Sequence, residues 1–141
     1  MDEKATSDDP GKDIAGKKIM WVEDDSALND ILKRWLERYK AELVHAENGT
    51  DALEVLRKEK PDILLLDVIL PDINGFEVLE QMKSDSDLND IPVIIFSNLS
   101  HQEDIDRGYQ LGAARFMVKS TVFLENLATE IRNVLRENGK L

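Results

Sequence analysis

Residues 61–75 read PDILLLDVILPDING. Four consecutive apolar residues, Ile63–Leu66, run between Pro61-Asp62 and an acid, Asp67, with turn-forming residues up to Gly75 beyond. An unalternating run this short predicts a strand buried on both faces, as in a parallel sheet. The same signature recurs on either side, at Ile19–Val22, Val93–Phe96 and Phe116–Val118. Leu43–Ala46 is a weaker copy, flanked by Glu42 and Glu47 and interrupted by His45, and predicts an edge strand.

Helical patterns separate these runs. Leu28, Ile31, Leu32, Trp35, Leu36 and Tyr39 share one helical face, and Leu124, Leu127, Ala128, Ile131, Val134 and Leu135 share another. Ala52–Leu56 and Phe76–Met82 give two shorter stripes. Ser100 and Glu103 have the spacing of a capping box, which predicts a helix from near residue 101. The apolar face of that helix, Ile105 and Tyr109, is thin, and Gly108 and Gly112 weaken it further. Five strands alternating with five helices predict an α/β fold, a doubly wound (βα)5 three-layer sandwich. The expected parallel sheet order is 2-1-3-4-5, with the weak second strand at an edge.

The 141 residues suffice for one domain. Residues 1–16 are polar, contain Pro10, Gly11 and Gly16, and are read as a flexible leader with almost nothing to bury. The domain is expected over 17–138, with a tail at 139–141 and no output domain. There are no cysteines, which excludes disulfides, thiolate metal sites and a cysteine nucleophile. No apolar run reaches the ~20 residues of a membrane span, and nothing resembles a secretory signal, so a cytoplasmic location is expected. The net charge of −11 and the lack of a basic stripe argue against direct nucleic-acid binding.

In such a sheet, ligands sit beyond the carboxyl ends of the strands. The first apolar run is followed by Glu23, Asp24 and Asp25, the third by Asp67, the fourth by Ser97 and Asn98, and the fifth by Lys119. Carboxylates, a hydroxyl and an ammonium are thus expected on one rim. Oxygen donors without His or Cys favour a hard cation such as Mg²⁺ with phosphate-bearing substrates. A carboxylate beside it is placed to act as nucleophile and form an acyl phosphate. Lys119 and Ser97 would supply charge and a hydrogen bond to the phosphoryl oxygens. Asp25 is expected to cap the first helix or support the acidic pair. Asp72, Asn74 and Gly75 are read as turn residues, His45 and His101 as surface residues, and Trp21 and Trp35 as core aromatics.

The segments IMWVEDD (19–25), DILLLDVILPDING (62–75), PVIIFS (92–97) and GAARFMVK (112–119) resemble, in order and spacing, the receiver domain of two-component response regulators. The resemblance runs from Lys17 to Asn138 and implies the flavodoxin-like form of the fold. It implies that Asp67 is the phosphoacceptor and that Glu23 and Asp24 hold Mg²⁺, Asp24 directly and Glu23 through water. The backbone carbonyl of Ile69 would complete the protein ligands. Lys119 matches the family's lysine, Ser97 its switch hydroxyl, and Phe116 the aromatic that changes rotamer with it. The implied donor is a histidine kinase or histidine phosphotransfer protein, and the output is a changed protein-binding surface for a downstream protein that the sequence does not specify. Dimerisation on phosphorylation stays open.

Three departures stand out. Ser120 replaces the proline that usually follows the lysine in cis linkage, Asn98 stands where a small residue is usual, and Ile69 and Leu99 are apolar at positions that influence hydrolysis of the acyl phosphate. The last implies slow self-dephosphorylation. A pseudo-receiver that binds partners without phosphorylation is the competing reading, kept alive by Asn98 and Ser120. A haloacid dehalogenase-type phosphatase wants Asp-x-Asp after the first strand, and a Toprim nuclease wants it after the third, where Ile69 follows Asp67 at that spacing. A flavodoxin wants a hydroxyl-rich loop where the acids stand. These enzyme and cofactor readings fail on residues.

Overall fold

The computed structural model describes residues 13–141. The chain runs β1 (Lys18–Val22), α1 (Ser26–Glu37), β2 (Glu42–Ala46), α2 (Gly49–Glu59), β3 (Ile63–Leu66), α3 (Gly75–Lys83), β4 (Val93–Ser97), α4 (Gln102–Gln110), β5 (Arg115–Val118) and α5 (Leu124–Glu137). A single 3-10 turn, Lys119–Thr121, follows β5. All strand pairs are parallel, in the order β2-β1-β3-β4-β5, as the sequence predicts.

The burial pattern explains the strand patterns. β3 and β4 are buried throughout because both have strand neighbours and helices on both faces. β2 and β5 close the sheet at its two edges, and most of their residues are half-buried. The sheet separates two apolar layers. One gathers Met20, Val22, Leu64, Leu66, Val93 and Ile95 against α2 and α3, with Leu53, Leu56, Val78, Leu79 and Met82. The other gathers Ile19, Trp21, Ile63, Leu65, Ile94 and Phe96 against α1 and α5, with Leu32, Trp35, Leu36, Leu127, Ile131 and Val134. Alternate residues of each strand thus feed opposite layers, which is why whole runs are apolar.

Side chains set the helix starts that position the rim. Asp25 caps α1, accepting from the Ala27 and Leu28 N–H groups at 3.0 and 3.2 Å. Asn48 caps α2 and Asn74 caps α3. Asp72 also reaches α2 from the β3–α3 loop and accepts from the N–H groups of Gly49 and Thr50, each at 2.8 Å. At the other end, Gly139 takes φ +69° and the Lys140 N–H closes α5 on the Leu135 carbonyl at 2.9 Å.

Three expectations need correction. Ile14, placed in the flexible leader, is fully buried in the α1–α5 layer. Asp13 faces Arg136 at 3.4 Å, and the Gly16 N–H donates to the Lys40 carbonyl at 2.9 Å. The inner end of the leader is therefore tied down, while residues 1–12 lie outside the described residues. Secondly, α4 begins at Gln102 with His101 at the N-cap and no side-chain cap, so Ser100 and Glu103 do not form the predicted box. The helix starts one residue too late for that reciprocal pairing. Thirdly, His45 is not a simple surface residue: it is half-buried and stacks on Trp21 with ring centroids 5.0 Å apart. The thin attachment read for α4 matches its burial, since Gly108 alone is buried there.

Candidate functional site

Parallel strands of matched register bring their carboxyl ends to one rim. Val22 pairs with Leu66, Leu66 with Ile95, and Ser97 with Val118, so the residues that follow β1 and β3 emerge side by side and the one after β5 emerges on the same rim, across the end of β4. Glu23, Asp67 and Lys119 are those residues.

Glu23 and Asp67 are buried, at 4% and 6% exposure, and Asp24 is exposed. Carboxylate oxygens of the three lie within 4.8 Å of one another. Lys119 bridges the two buried acids, donating from Nζ to Asp67 Oδ2 at 2.8 Å and to Glu23 Oε1. Its ammonium also lies 6.0 Å from the centroid of the buried Phe96 ring. Backbone donors complete the carboxylates: the Asp25 N–H to Glu23 Oε2 at 3.0 Å, and the Ile69 N–H to Asp67 Oδ1 at 3.2 Å.

The electrostatics follow from this crowding. Burial pushes the Glu23 carboxyl above the usual carboxylate range, against the lowering pull of Lys119 and the Asp25 N–H. Burial alone would depress the Lys119 ammonium, but Asp67 and Glu23 outweigh it and hold its pKa above the ordinary lysine value. Two buried carboxylates thus share one ammonium, with the Asp24 carboxylate beside them. The donor set is entirely oxygen, charged and short of positive charge, which fits a hard divalent cation.

Ser97 and Phe116 take different places. Ser97 is fully buried at the end of β4, and its Oγ accepts weakly from the Leu99 N–H at 3.4 Å. Phe116 is half-buried beside the α2–α3 layer, and its N–H donates to Tyr109 Oη at 3.1 Å. Of the residues that the sequence singled out, the structure joins Glu23, Asp24, Asp67 and Lys119 in one cluster, with Ser97 on the same rim. Ile69 is 58% exposed beside Asp67, and Asn98 is exposed. Ser120 lies in the 3-10 turn, and there is no cis peptide bond among the described residues.

Two neighbours escaped the sequence reading. Asn29 on α1 donates from Nδ2 to the Glu23 carbonyl at 3.0 Å, and His45 Nε2 lies 2.9 Å from the same oxygen. Asn29 carries no local signal, because its partner sits on another element. Gly75, a turn residue by its sequence, also stands so close to the Asp67 and Val68 backbone that a Cβ there would collide with it, a proximity that no local pattern marks.

The model of the response regulator receiver domain matches residues 19–132, and the chain belongs to that family. The family is a signalling domain, not an enzyme family. Protein PilH of Pseudomonas aeruginosa is 34% identical over 118 residues, covering 84% of this chain and 97% of PilH. The probable transcriptional regulator ycf27 of Pyropia yezoensis is 34% identical over 125 residues, 89% of this chain and 50% of ycf27. The chain thus spans about half the length of the ycf27 regulators that it matches. Among solved structures, the Mn(2+)-bound form of response regulator Rcp1 superposes with a TM-score of 0.73 at 28% identity, covering 83% of this chain and 92% of that one. Among the described residues, no helix is long and apolar enough to cross a membrane.

Proposed function

We propose that the chain is a phosphoacceptor receiver, taking a phosphoryl group onto Asp67 from a phosphohistidine of a histidine kinase or histidine phosphotransfer protein. The observation that carries this reading is the Asp67 carboxylate, buried at a strand end, bonded to Lys119 and close to Glu23 and Asp24. An Asp67 oxygen attacks phosphorus, the O–P bond forms, and the P–N bond breaks with its electron pair leaving on the imidazole. Lys119 is placed to follow the charge that develops on the phosphoryl oxygens. The Ile69 N–H holds Asp67 Oδ1, which orients the carboxylate.

Glu23, Asp24, Asp67 and the Ile69 carbonyl would hold Mg²⁺, and the relative solved with Mn(2+) supports a divalent ion at such a site. The chemistry that Mg²⁺ supplies when bound is neutralisation of charge between the carboxylates and an incoming phosphoryl group. Ser97 and Phe116 are the proposed switch pair, and the weakly anchored α4 with β5 forms the surface that changes for a downstream protein. The match to PilH covers 97% of that relative, so a chain of receiver size recurs in the family.

Intact-protein mass spectrometry after incubation with acetyl phosphate tests this reading. One added phosphoryl mass is expected with Mg²⁺, and none with chelator or in Asp67→Asn. If phosphohistidine donors and acetyl phosphate both leave the mass unchanged, the fold serves as a pseudo-receiver instead.

A further inference from the structure

Glu23 and Asp24 are joined by one peptide group, and its carbonyl is gripped from two sides. Asn29, from the first turns of α1, donates Nδ2 to the Glu23 oxygen at 3.0 Å. His45, from β2, meets the same oxygen at 2.9 Å. A carbonyl oxygen only accepts, so His45 carries a proton on Nε2. Trp21 links the two: its Nε1–H donates to Asn29 Oδ1 at 2.9 Å, and its ring stacks on His45 at an interplanar angle of 26°. Trp21 itself is buried, so this assembly is braced from within the core. On the other side of the residue, the Glu23 N–H donates to the Ala46 carbonyl at 3.1 Å.

We infer that Asn29, His45 and Trp21 form a clamp that presets the peptide between the two acids and thereby raises the affinity of the acidic centre for its divalent cation. This rests on the reading that Glu23 and Asp24 hold Mg²⁺. The torsions on either side of that peptide, ψ of Glu23 and φ of Asp24, set how the two side chains stand to each other, so an unclamped peptide must be ordered when the cation binds. Fixing it beforehand removes that entropic cost from binding. The need is greatest for Glu23, whose carboxylate stands one rotatable bond further from the backbone than an aspartate's. The clamp residues act through the backbone and are positioning residues.

The test titrates Mn²⁺ into the full chain, following the free ion by electron paramagnetic resonance, with Mg²⁺ as competitor. His45→Phe keeps an aromatic ring on Trp21 but has no donor, while His45→Gln restores an N–H of similar reach. Losing one donor is expected to weaken binding about fivefold in His45→Phe and in Asn29→Ala. The double variant should lose more than about 20-fold, and His45→Gln should stay within about twofold of the native protein. A double variant that binds Mn²⁺ as the native chain does, whatever its melting temperature, overturns the clamp. So does His45→Gln binding as poorly as His45→Phe. If the native chain itself shows no Mg²⁺-competed Mn²⁺ binding, the metal reading falls first and the clamp with it.

Discussion

Replacing Gly75 with alanine sets two effects of opposite sign against each other. Gly75 is the first residue of α3, and its N–H donates to the Val68 carbonyl at 2.8 Å. A Cβ there would lie 2.2 Å from the Asp67 carbonyl oxygen, 2.8 Å from Val68 Cα and 3.0 Å from the Asp67 carbonyl carbon. A relaxed C···O contact needs roughly 3.3 Å, so the backbone must part by about 1 Å. Alanine gains up to ~1 kcal/mol over glycine in a helix interior, which argues for a more stable variant. Overpacking costs roughly 1–3 kcal/mol, and an overlap this deep with rigid backbone takes the upper end, about 3, so the clash should win by about 2 kcal/mol. At this chain length that lowers the melting temperature by about 6–8 °C. Gly49→Ala is the internal comparison, since its Cβ would press mainly on the Ile73 side chain, with Cγ1 at 2.4 Å, and that chain can turn aside. Urea unfolding of both variants decides the matter. Gly75→Ala as stable as the native protein, or more so, would refute the close-approach argument.

Lys119→Met should lose about 3–5 kcal/mol at pH 7, because it leaves two buried carboxylates without their ammonium. Without the ammonium, burial raises the Glu23 carboxyl further in the folded state, so the fold binds protons more tightly than the unfolded chain and stability falls as pH rises. The deficit against the native protein should therefore shrink between pH 7 and pH 5 in urea titrations, and an equal deficit at both would count against the pairing. Asp72 has the opposite sign. Bonds from Thr50 and the Gly49 N–H hold its carboxyl well below the usual range, so its contribution is present above the unfolded value and fades in acid. Asp72→Ala should be less stable at pH 7, with the gap closing as pH falls below about 4. Ile14→Ala should lose about 2–3 kcal/mol by thermal unfolding, because the side chain is fully buried. A change under about 0.5 kcal/mol would mean that this segment does not hold to the core.

The sheet was legible because each strand leaves a short apolar run closed by a chemically distinct residue. Both Asp67 and Lys119 end such runs, and matched register turns those endings into one site. Ile14 was hidden because one apolar residue in a polar segment has no period to read. The start of α4 was misplaced because Ser100 and Glu103 have the right spacing, while the chain enters the helix one residue later. Asn29, His45 and the second role of Asp72 depend on contacts between residues 6, 22 and 23 positions apart, which no local pattern encodes.

The proposed function turns on whether Asp67 itself receives the phosphoryl group. Borohydride reduces an aspartyl phosphate to homoserine, so treating the protein after incubation with phosphodonor and Mg²⁺ marks the acceptor permanently. Fragmentation of the peptide spanning residues 61–83 should place homoserine at position 67 and leave Asp62 and Asp72 unchanged. Homoserine at Asp24, at Asp72 or nowhere in the chain would mean that Asp67 is not the acceptor.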